Sequence, residues 1–308
     1  MELKYPRLTL GALKGGSGKT VVSIAIIMGW RKKGLVIAPF KKGPDFIDAA
    51  WLKEASGRPC YNLDTFLMEE ETVFNSFIKR AQGVDGSLIE GNRGLYDGMD
   101  LQGSHSTAAL AKLLDAPVIL VVDCTKATRT LAALVLGCQK MDSELKIKGV
   151  ILNQIGNNRQ ASIIRSAIEQ NCQLPILGEI PRLKEVPFKE RHLGLIPPPE
   201  HQKKEKAFEF CSEIGKKYLD LDGLWKVASD APPLNYSNFD SETNPKKAES
   251  GVRMGILKDS AFQFYYPENL EELESNGGSI VEINALQDKQ LPPIDGPVSY
   301  THLTLPTN

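Results

Sequence analysis

The chain has 308 residues, of which 42% are hydrophobic and 24% are charged, and its formal net charge is −1. These values are typical of a globular protein that can build a full core and more than one folding unit. The near-neutral charge provides no general attraction for nucleic acid or a membrane surface. Five cysteines without a C-x-x-C pair, and no apolar run of membrane-spanning length, favour a reduced, cytoplasmic protein.

Apolar runs alternate with helix-like segments from residue 8 to residue 220. The predicted strands are 8–13, 35–40, 86–90, 117–123, 147–153 and 174–180. The predicted helices are 19–32, 69–81, 105–114, 127–140, 158–171 and 203–217. Several strands are nearly continuous in Val, Ile and Leu, which favours a parallel sheet covered on both faces. The pattern predicts an α/β fold with a doubly wound, mostly parallel sheet, in which ligands bind beyond the carboxyl ends of the strands.

A glycine-rich turn joins the first predicted strand to the first predicted helix. It reads K-G-G-S-G-K-T and fits the P-loop variant K-G-G-x-G-K-[ST], because Leu13 stands where the pattern G-x-x-x-x-G-K-[ST] requires Gly. Backbone N–H groups of such a turn converge on the phosphates of a nucleotide. We expect Lys19 to reach the terminal phosphates, Thr20 to ligate Mg²⁺ and Lys14 to add a second cation. The predicted ATP-binding residues of this turn are Lys14, Gly15, Gly16, Ser17, Gly18, Lys19 and Thr20.

A second charged segment, residues 40–48, follows the second predicted strand. It holds Lys41, Lys42, Asp45 and Asp48 around a Gly-Pro turn. A nucleotide triphosphate that reacts with a carboxylate substrate needs metal-binding anions as well as neutralising cations. On local grounds alone, the less favoured alternative is a solvated charged turn.

A third segment, residues 90–98, follows the buried strand 86–90. Glu90 stands where a carboxylate beside a P-loop serves Mg²⁺, directly or through water. Asp97 is expected to face the substrate, and Arg93 either meets an anionic group or forms a surface ion pair.

Three other polar residues are weaker candidates. Asn153 closes the predicted strand 147–153, and its amide suits the edge of adenine, although it could equally be a turn residue. Asp123 ends another strand and favours a structural or phosphate-side role. His192 reads as a packing residue and stays a candidate for the wall of a substrate cleft.

The composition changes after residue 228. Polar residues and Pro dominate residues 229–250, which are predicted to be a linker. A strand at 254–257, a helix at 267–276 and a strand at 279–283 then predict the opening of another α/β domain. The expected organisation is a P-loop domain at 1–228, the linker, a second domain at 251–296 and a tail at 297–308.

The motifs together resemble the cobyrinate a,c-diamide synthase family over residues 7–296. The likeness rests on the P-loop, on residues 38–48, 90–98 and 191–195, and on residues 258–269. It implies a dethiobiotin-synthetase-like domain followed by a class I glutamine amidotransferase domain. The implied reaction is ATP-dependent amidation of the a and c carboxylates of a corrinoid through acyl phosphates, with ammonia normally supplied by glutamine.

The resemblance also implies roles for individual residues. The implied catalytic residues are Lys19, Asp45, Asp48, Glu90 and Asp97. The implied Mg²⁺ ligands are Thr20, Asp45, Asp48 and Glu90. The substrate side is expected to include Lys41, Lys42, Arg93, Tyr96, Asp97 and His192.

The family pattern is not continued by residues 297–308, and no cysteine follows Cys211. We therefore expect a shortened amidotransferase-like domain with a non-native tail, and a chain that uses free ammonia rather than glutamine.

Two alternatives remain at this point. A sirohydrochlorin a,c-diamide synthase would perform the same reaction on another macrocycle. A dimeric ATPase switch of the chromosome-partition type shares the motif K-G-G-x-G-K-T, but the charge balance and the segments 40–48 and 90–98 weigh against it. Lys14 is compatible with a site beside a dimer interface, so a homodimer stays open.

Overall fold

The computed structural model describes residues 2–183, 186–188, 190–191, 194–201, 203–235, 251–259 and 262–298. The chain divides into two compact units, Met1–Phe239 and Asp240–Asn308. Within the described residues, no helix combines the length and apolarity that crossing a membrane would require.

A parallel sheet of seven strands forms the centre of the first unit. After a short β1 (Glu2–Leu3), its strands are β2 (Arg7–Ala12), β3 (Ile37–Lys42), β4 (Tyr61–Leu63), β5 (Gly86–Glu90), β6 (Val118–Asp123), β7 (Ile147–Ile155) and β8 (Ile176–Pro181). The spatial order is β4-β3-β5-β2-β6-β7-β8 and every neighbouring pair is parallel. This confirms the predicted doubly wound α/β sheet.

Helices cover both faces of this sheet. They are α1 (Lys19–Lys32), α2 (Phe46–Ser56), α3 (Glu70–Ala81), α4 (Thr107–Leu113), α5 (Thr130–Met141), α6 (Asn158–Cys172), α7 (Lys204–Tyr218) and α8 (Leu221–Ser229). Helices α1, α2, α7 and α8 share one core with the sheet, and α3 to α6 pack on the opposite face. The sequence pattern did not predict α2, α8 or β4.

The central strands are apolar throughout because both of their faces are covered. In β6, Ile119 and Val121 pack with α1, whereas Val118, Leu120 and Val122 pack with α5 and α6. Successive side chains of a strand point to opposite faces, so a strand buried on both sides needs an unbroken apolar run. The run that predicted this strand thus reflects its central position in the sheet.

The first unit extends further along the chain than predicted. Leu234 is buried, and β11 (Leu234–Asn235) pairs antiparallel with β1. Residues 229–235, which the composition assigned to a linker, therefore pack onto the first unit, and the predicted boundary at residue 228 lies too early. Residues 236–250 lie outside the described residues.

A hairpin and a short 3₁₀ helix precede α7. The hairpin joins β9 (Glu190–Arg191) to β10 (Gly194–Leu195), and the 3₁₀ helix spans Pro198–Glu200. His192 lies outside the described residues.

The second unit contains the three elements predicted for it, β12 (Arg253–Leu257), α9 (Pro267–Ser275) and β13 (Ser279–Ile283). It also contains β14 (Gly296–Val298), which the sequence pattern did not predict. The three strands are parallel in the order β13-β12-β14. Pro297 and Val298 belong to β14, and residues 299–308 lie outside the described residues, so the non-native tail at 297–308 stays a prediction.

Arg7, the first residue of β2, is a buried arginine that forms hydrogen bonds with separate segments of the chain. The guanidinium of Arg7 donates to the carbonyl oxygens of Leu114 at 2.6 Å, Tyr5 and Pro232 at 2.8 Å, and Asp115 at 3.1 Å. Burial lowers the pKa of Arg7 to about 10, and Asp115 partly offsets this shift. The guanidinium thus satisfies carbonyl groups that have been removed from water.

We expect Arg7→Met to lower the free energy of unfolding by about 3 kcal/mol, because it leaves several buried carbonyls without a donor. The exposed Arg58 provides the control, and Arg58→Met should change stability by no more than about 0.5 kcal/mol. Urea unfolding followed by tryptophan fluorescence measures both, since Trp30, Trp51 and Trp225 all lie in the first unit. Equal midpoints for the two variants would contradict this role of Arg7.

Candidate functional site

The carboxyl ends of the central strands meet at one edge of the sheet, and the candidate site is built there. The P-loop follows β2, and Glu90 and Asp123 are the last residues of β5 and β6. Lys41 lies directly opposite Glu90 in the register of β3 and β5, and Asp123 lies opposite Asn153 in that of β6 and β7. Parallel pairing therefore places residues that are distant in sequence side by side.

The P-loop presents unpaired backbone donors. Gly16 and Gly18 have φ angles of 71° and 86°, in the left-handed region that glycine tolerates best. Gly18 precedes α1 and provides no side-chain cap, so the first-turn N–H groups of this helix keep no intrahelical partner. Such a turn is suited to bind the phosphates of a nucleotide.

Lys19 lies among the carboxylates predicted from the sequence. It is buried, and its Nζ donates to the carbonyl oxygen of Arg93 at 2.7 Å. Burial lowers the pKa of Lys19, and the charges of Glu90, Asp48 and Asp97 oppose this shift. The three acidic side chains thus act electrostatically on the P-loop lysine, and their catalytic roles stay predictions.

Glu90 is the most deeply buried acid of the site. It is 0% exposed, and its Oε1 accepts a hydrogen bond from the hydroxyl of Thr20 at 2.9 Å. Its Oε2 has no hydrogen-bond partner within the part of the chain that the structure describes. Burial and the charge of Asp48 raise the pKa of Glu90, whereas Lys41 lowers it. The hydroxyl and the free carboxylate oxygen offer two oxygen ligands next to the P-loop.

Lys41 occupies the space between the acids. Its side chain is 1% exposed, and Nζ donates to Asp48 Oδ2 at 2.7 Å and to Glu90 Oε1 at 2.8 Å. The same Nζ is 3.8 Å from Asp45 Oδ2. The ammonium is thus enclosed and paired with the protein's own carboxylates, and the predicted contact of Lys41 with the substrate stays a prediction.

Asp45 and Asp48 have structural roles that the sequence reading did not assign. Asp45 is the N-cap of α2, and its Oδ1 accepts the N–H of Asp48 at 3.0 Å. Asn62, also overlooked, donates to the carbonyl oxygens of Gly43 at 2.7 Å and Asp45 at 3.0 Å. These bonds fix the turn before the helix and direct both acids towards Lys41.

The two aspartates differ in charge environment. Burial and the neighbouring Asp48 raise the pKa of Asp45. Burial also disfavours ionisation of Asp48, but its direct pairing with Lys41 outweighs that effect and lowers its pKa. Within the described residues, no three His, Cys, Asp or Glu side chains are arranged to hold a metal ion by themselves. A cation at this site would therefore need further oxygen ligands, such as Thr20, water or the phosphates of a nucleotide.

Asn153 fixes the shape of the P-loop. Its Nδ2 donates to the carbonyl oxygen of Ser17 at 2.9 Å, and its Oδ1 accepts the N–H of Gln154 at 3.0 Å. One amide hydrogen and one lone pair remain, so a contact with adenine stays a prediction.

Lys14 contacts the end of β6 in this structure. Its Nζ is 3.1 Å from Asp123 Oδ2, and its side chain is 68% exposed. The pairing agrees with the structural role favoured for Asp123, and the predicted phosphate contact of Lys14 stays a prediction.

The loop after β5 is held close to the P-loop. Asp97 Oδ2 accepts the N–H of Gly94 at 2.8 Å, and the N–H of Leu95 donates to the carbonyl of Ala12 at 2.7 Å. The hydroxyl of Tyr96 donates to the carbonyl of Cys138 at 2.6 Å, and burial raises the pKa of Tyr96 to about 12. Tyr96 thus anchors the loop, and its contact with a substrate stays a prediction.

Two cations next to this loop are without anionic partners. Neither the ammonium of Lys42 nor the guanidinium of Arg93 forms an ion pair or a hydrogen bond with the residues that the structure describes. Burial lowers the pKa of Lys42, Asp64 opposes that shift, and Arg93 adds to it, so the two cations lie within electrostatic reach of each other. The alternative that Arg93 forms a surface ion pair is therefore not observed.

Residues 8–195 match the CbiA family model, described as the CobQ/CobB/MinD/ParA nucleotide binding domain. The chain belongs to this family. The match covers the sheet and the P-loop described above, so a nucleotide-binding site at this edge is consistent with the family.

Curated relatives of this family member are named cobyrinate a,c-diamide synthase. The relative from Magnetococcus marinus is 44% identical over 96% of this chain. The relative from Picrophilus torridus is 39% identical and that from Archaeoglobus fulgidus is 36% identical, each also over 96% of this chain. The resemblance predicted from the motifs is thereby confirmed. The chain spans 64%, 66% and 64% of the lengths of these relatives, respectively.

One solved structure, chloroplast FtsY from Physcomitrella patens, aligns with 68% of this chain and 66% of its own at a TM-score of 0.42 and 13% identity.

We expect Gly18→Ala to weaken nucleotide binding about ten-fold or more, because the left-handed conformation of a non-glycine residue costs about 1–3 kcal/mol. A Cβ at this position would also lie 2.4 Å from Asn153 Nδ2, which would displace the amide that holds the turn. Gly15→Ala is the matched control, since a Cβ there meets nothing within 4 Å. Titration with a fluorescent ADP analogue measures both affinities, and equal losses in the two variants would contradict the assigned role.

Proposed function

We propose that this chain uses ATP to activate a carboxylate of a tetrapyrrole-type macrocycle, which ammonia then converts to an amide. The observation that carries the proposal is the position of Lys19, the lysine of the P-loop, within electrostatic reach of Glu90, Asp48 and Asp97. The names of the relatives point to cobyrinate, with amidation at its a and c carboxylates.

The chemistry follows from the weakness of a carboxylate as an electrophile. A substrate carboxylate oxygen attacks the γ-phosphorus of ATP, a new P–O bond forms, and ADP leaves. Ammonia then attacks the acyl carbon and the C–O bond to phosphate breaks, so phosphate departs with one oxygen of the former carboxylate. No protein nucleophile is needed, and the protein contributes positioning and charge stabilisation.

The site residues divide these tasks. Lys19 and the N–H groups at the start of α1 bind the phosphates, and Lys19 neutralises charge on the transferring group. Thr20 and the free oxygen of Glu90 would hold Mg²⁺, which supplies further positive charge to the phosphates when bound. The charge of Asp97 acts on Lys19, and Asp97 is assigned to the substrate side.

The substrate class is supported by the surface next to these residues. Lys42 and Arg93 are cations without an anionic partner among the residues that the structure describes, and they suit peripheral carboxylates. The loops around them also expose apolar side chains, which would suit the ring of a macrocycle. These side chains are Phe66, Leu67, Met99 and Leu101.

Ammonia is the proposed nitrogen donor for this chain. Hydrolysis of glutamine by a cysteine requires a thiolate, and a thiol with a raised pKa supplies little of it. Burial raises the pKa of Cys124 to about 12 and also raises the pKa of Cys138, Cys172 and Cys211. None of these four thiols is therefore suited to attack glutamine, and the assay below uses ammonium with glutamine as the comparison.

The decisive experiment follows oxygen atoms. Cobyrinate and sirohydrochlorin, each labelled with heavy oxygen in its carboxylates, are incubated with ATP, Mg²⁺ and ammonium. We expect one labelled oxygen to appear in phosphate for every amide formed, because phosphate leaves with a carboxylate oxygen. Mass spectrometry of the macrocycle counts the amides and shows which ring is accepted. ATP hydrolysis without acid dependence or label transfer would favour the partition-type ATPase instead.

The role of Arg93 can be tested separately. We expect Arg93→Met to raise the KM for the acid about ten-fold, because it removes one charge-assisted contact of about 1.4 kcal/mol. Nucleotide affinity should not change, since the backbone carbonyl that receives Lys19 remains. Arg58→Met, remote from the site and exposed, is the control. An unchanged KM would remove Arg93 from the substrate site.

A further inference from the structure

The ammonium of Lys41 lies where a cation would be expected among three carboxylates. It donates to Asp48 at 2.7 Å, to Glu90 at 2.8 Å and to the carbonyl of Gly91 at 3.3 Å. Asp45 Oδ2 lies 3.8 Å away. An ammonium has three hydrogens to donate, and these contacts engage all of them. Lys41 therefore fills the centre of the acidic cluster formed by Asp45, Asp48 and Glu90.

The cluster nevertheless retains an unused ligand. Glu90 is 0% exposed, its Oε1 is shared by Lys41 and Thr20, and its Oε2 has no partner among the described residues. A buried carboxylate oxygen without a donor is costly, and it is an available ligand for a hard cation. The same carboxylate thus binds an internal ammonium through one oxygen and keeps the other oxygen available as a ligand.

We infer that Lys41 is an internal counter-ion that keeps free divalent cations out of the acidic cluster, so that Mg²⁺ enters only together with the nucleotide. A lone Mg²⁺ would have to lose water and compete with an ammonium already bonded to two of the acids. Phosphates bound at the P-loop add negative charge and oxygen ligands, which shifts the balance towards the metal. The inference rests on the proposed use of a magnesium–nucleotide complex.

The consequence is a specific change in metal binding when Lys41 is removed. Lys41→Met leaves three carboxylates around an apolar side chain, and a divalent cation can then neutralise them without a nucleotide. Lys42→Met is the matched control, because the neighbouring lysine on the same strand has no bond to the cluster. Lys41→Arg keeps the positive charge and should behave like the natural chain.

The experiment measures the unfolding temperature by tryptophan fluorescence in MgCl₂ or CaCl₂, against NaCl of equal ionic strength and without nucleotide. We expect no specific stabilisation of the natural chain, Lys42→Met or Lys41→Arg. Lys41→Met should bind the divalent cation about ten-fold more tightly or better, with stability rising with its concentration as mass action requires. Equal responses of Lys41→Met and the natural chain would overturn the inference.

Loss of Lys41 could also prevent folding, because a buried cluster of unpaired charges is strongly destabilising. The variant Lys41→Met with Asp48→Asn removes one charge of each sign and provides the second measurement. It should also gain more stability from Mg²⁺ than the natural chain does, and failure to do so would contradict the inference.

The proposed function is tested apart from this inference. In the natural chain, Mg²⁺ should stabilise only when ADP or ATP is present. Absence of stabilisation by any nucleotide would count against the proposed function, whereas the response of Lys41→Met to metal alone needs neither nucleotide nor acid. The two failures are therefore distinguishable.

Discussion

A carboxylate without contact to water has to be neutralised from within the protein, and Glu90 imposes this requirement on the site. Burying an unpaired charge costs several kcal/mol, so the folded protein must provide partners for the Glu90 carboxylate. Thr20 supplies a hydroxyl from the P-loop helix, and Lys41 supplies an ammonium from the adjacent strand. The positive end of the α1 dipole points to the same place. One acid thereby joins the P-loop, β3 and β5 into a single electrostatic unit.

The parts of the fold that the sequence predicted are those encoded locally. The continuous apolar run of β6 predicted a strand covered on both faces, and the spacing of the P-loop predicted a turn between strand and helix. Glu90 could be placed because it ends such a run, and the carboxyl ends of parallel strands share one edge. The lengths and order of the predicted strands and helices were enough to predict that Glu90 and Asp97 lie near Lys19.

The structural features that the sequence did not reveal depend on residues that serve two purposes or on contacts between distant segments. Asp45 and Asp48 stand three apart, which was interpreted as a pair of metal ligands. The same spacing separates the N-cap residue of a helix from the third residue of that helix. Gly57 follows the last residue of α2, so the sequence of α2 contains an ordinary start signal and an ordinary stop signal. The sequence analysis places Lys41 on the substrate side. Its burial follows from the pairing of β3 with β5, and no local pattern in the sequence contains that pairing. The hydrogen bond from Asn153 to Ser17 also joins residues that are far apart in the sequence.

The loop after β5 is held by hydrogen bonds within the protein itself. Its backbone is held by Ala12, by the side chain of Asp97 and by Thr107, whose hydroxyl accepts the N–H of Asn92 at 3.1 Å. A binding segment that is already rigid loses little conformational entropy on association, so more of the contact energy appears as affinity. A rigid receptor also discriminates by shape, since it cannot adjust to a ring of different outline. In the proposed reaction, selectivity between macrocycles should therefore depend on the contour of this loop.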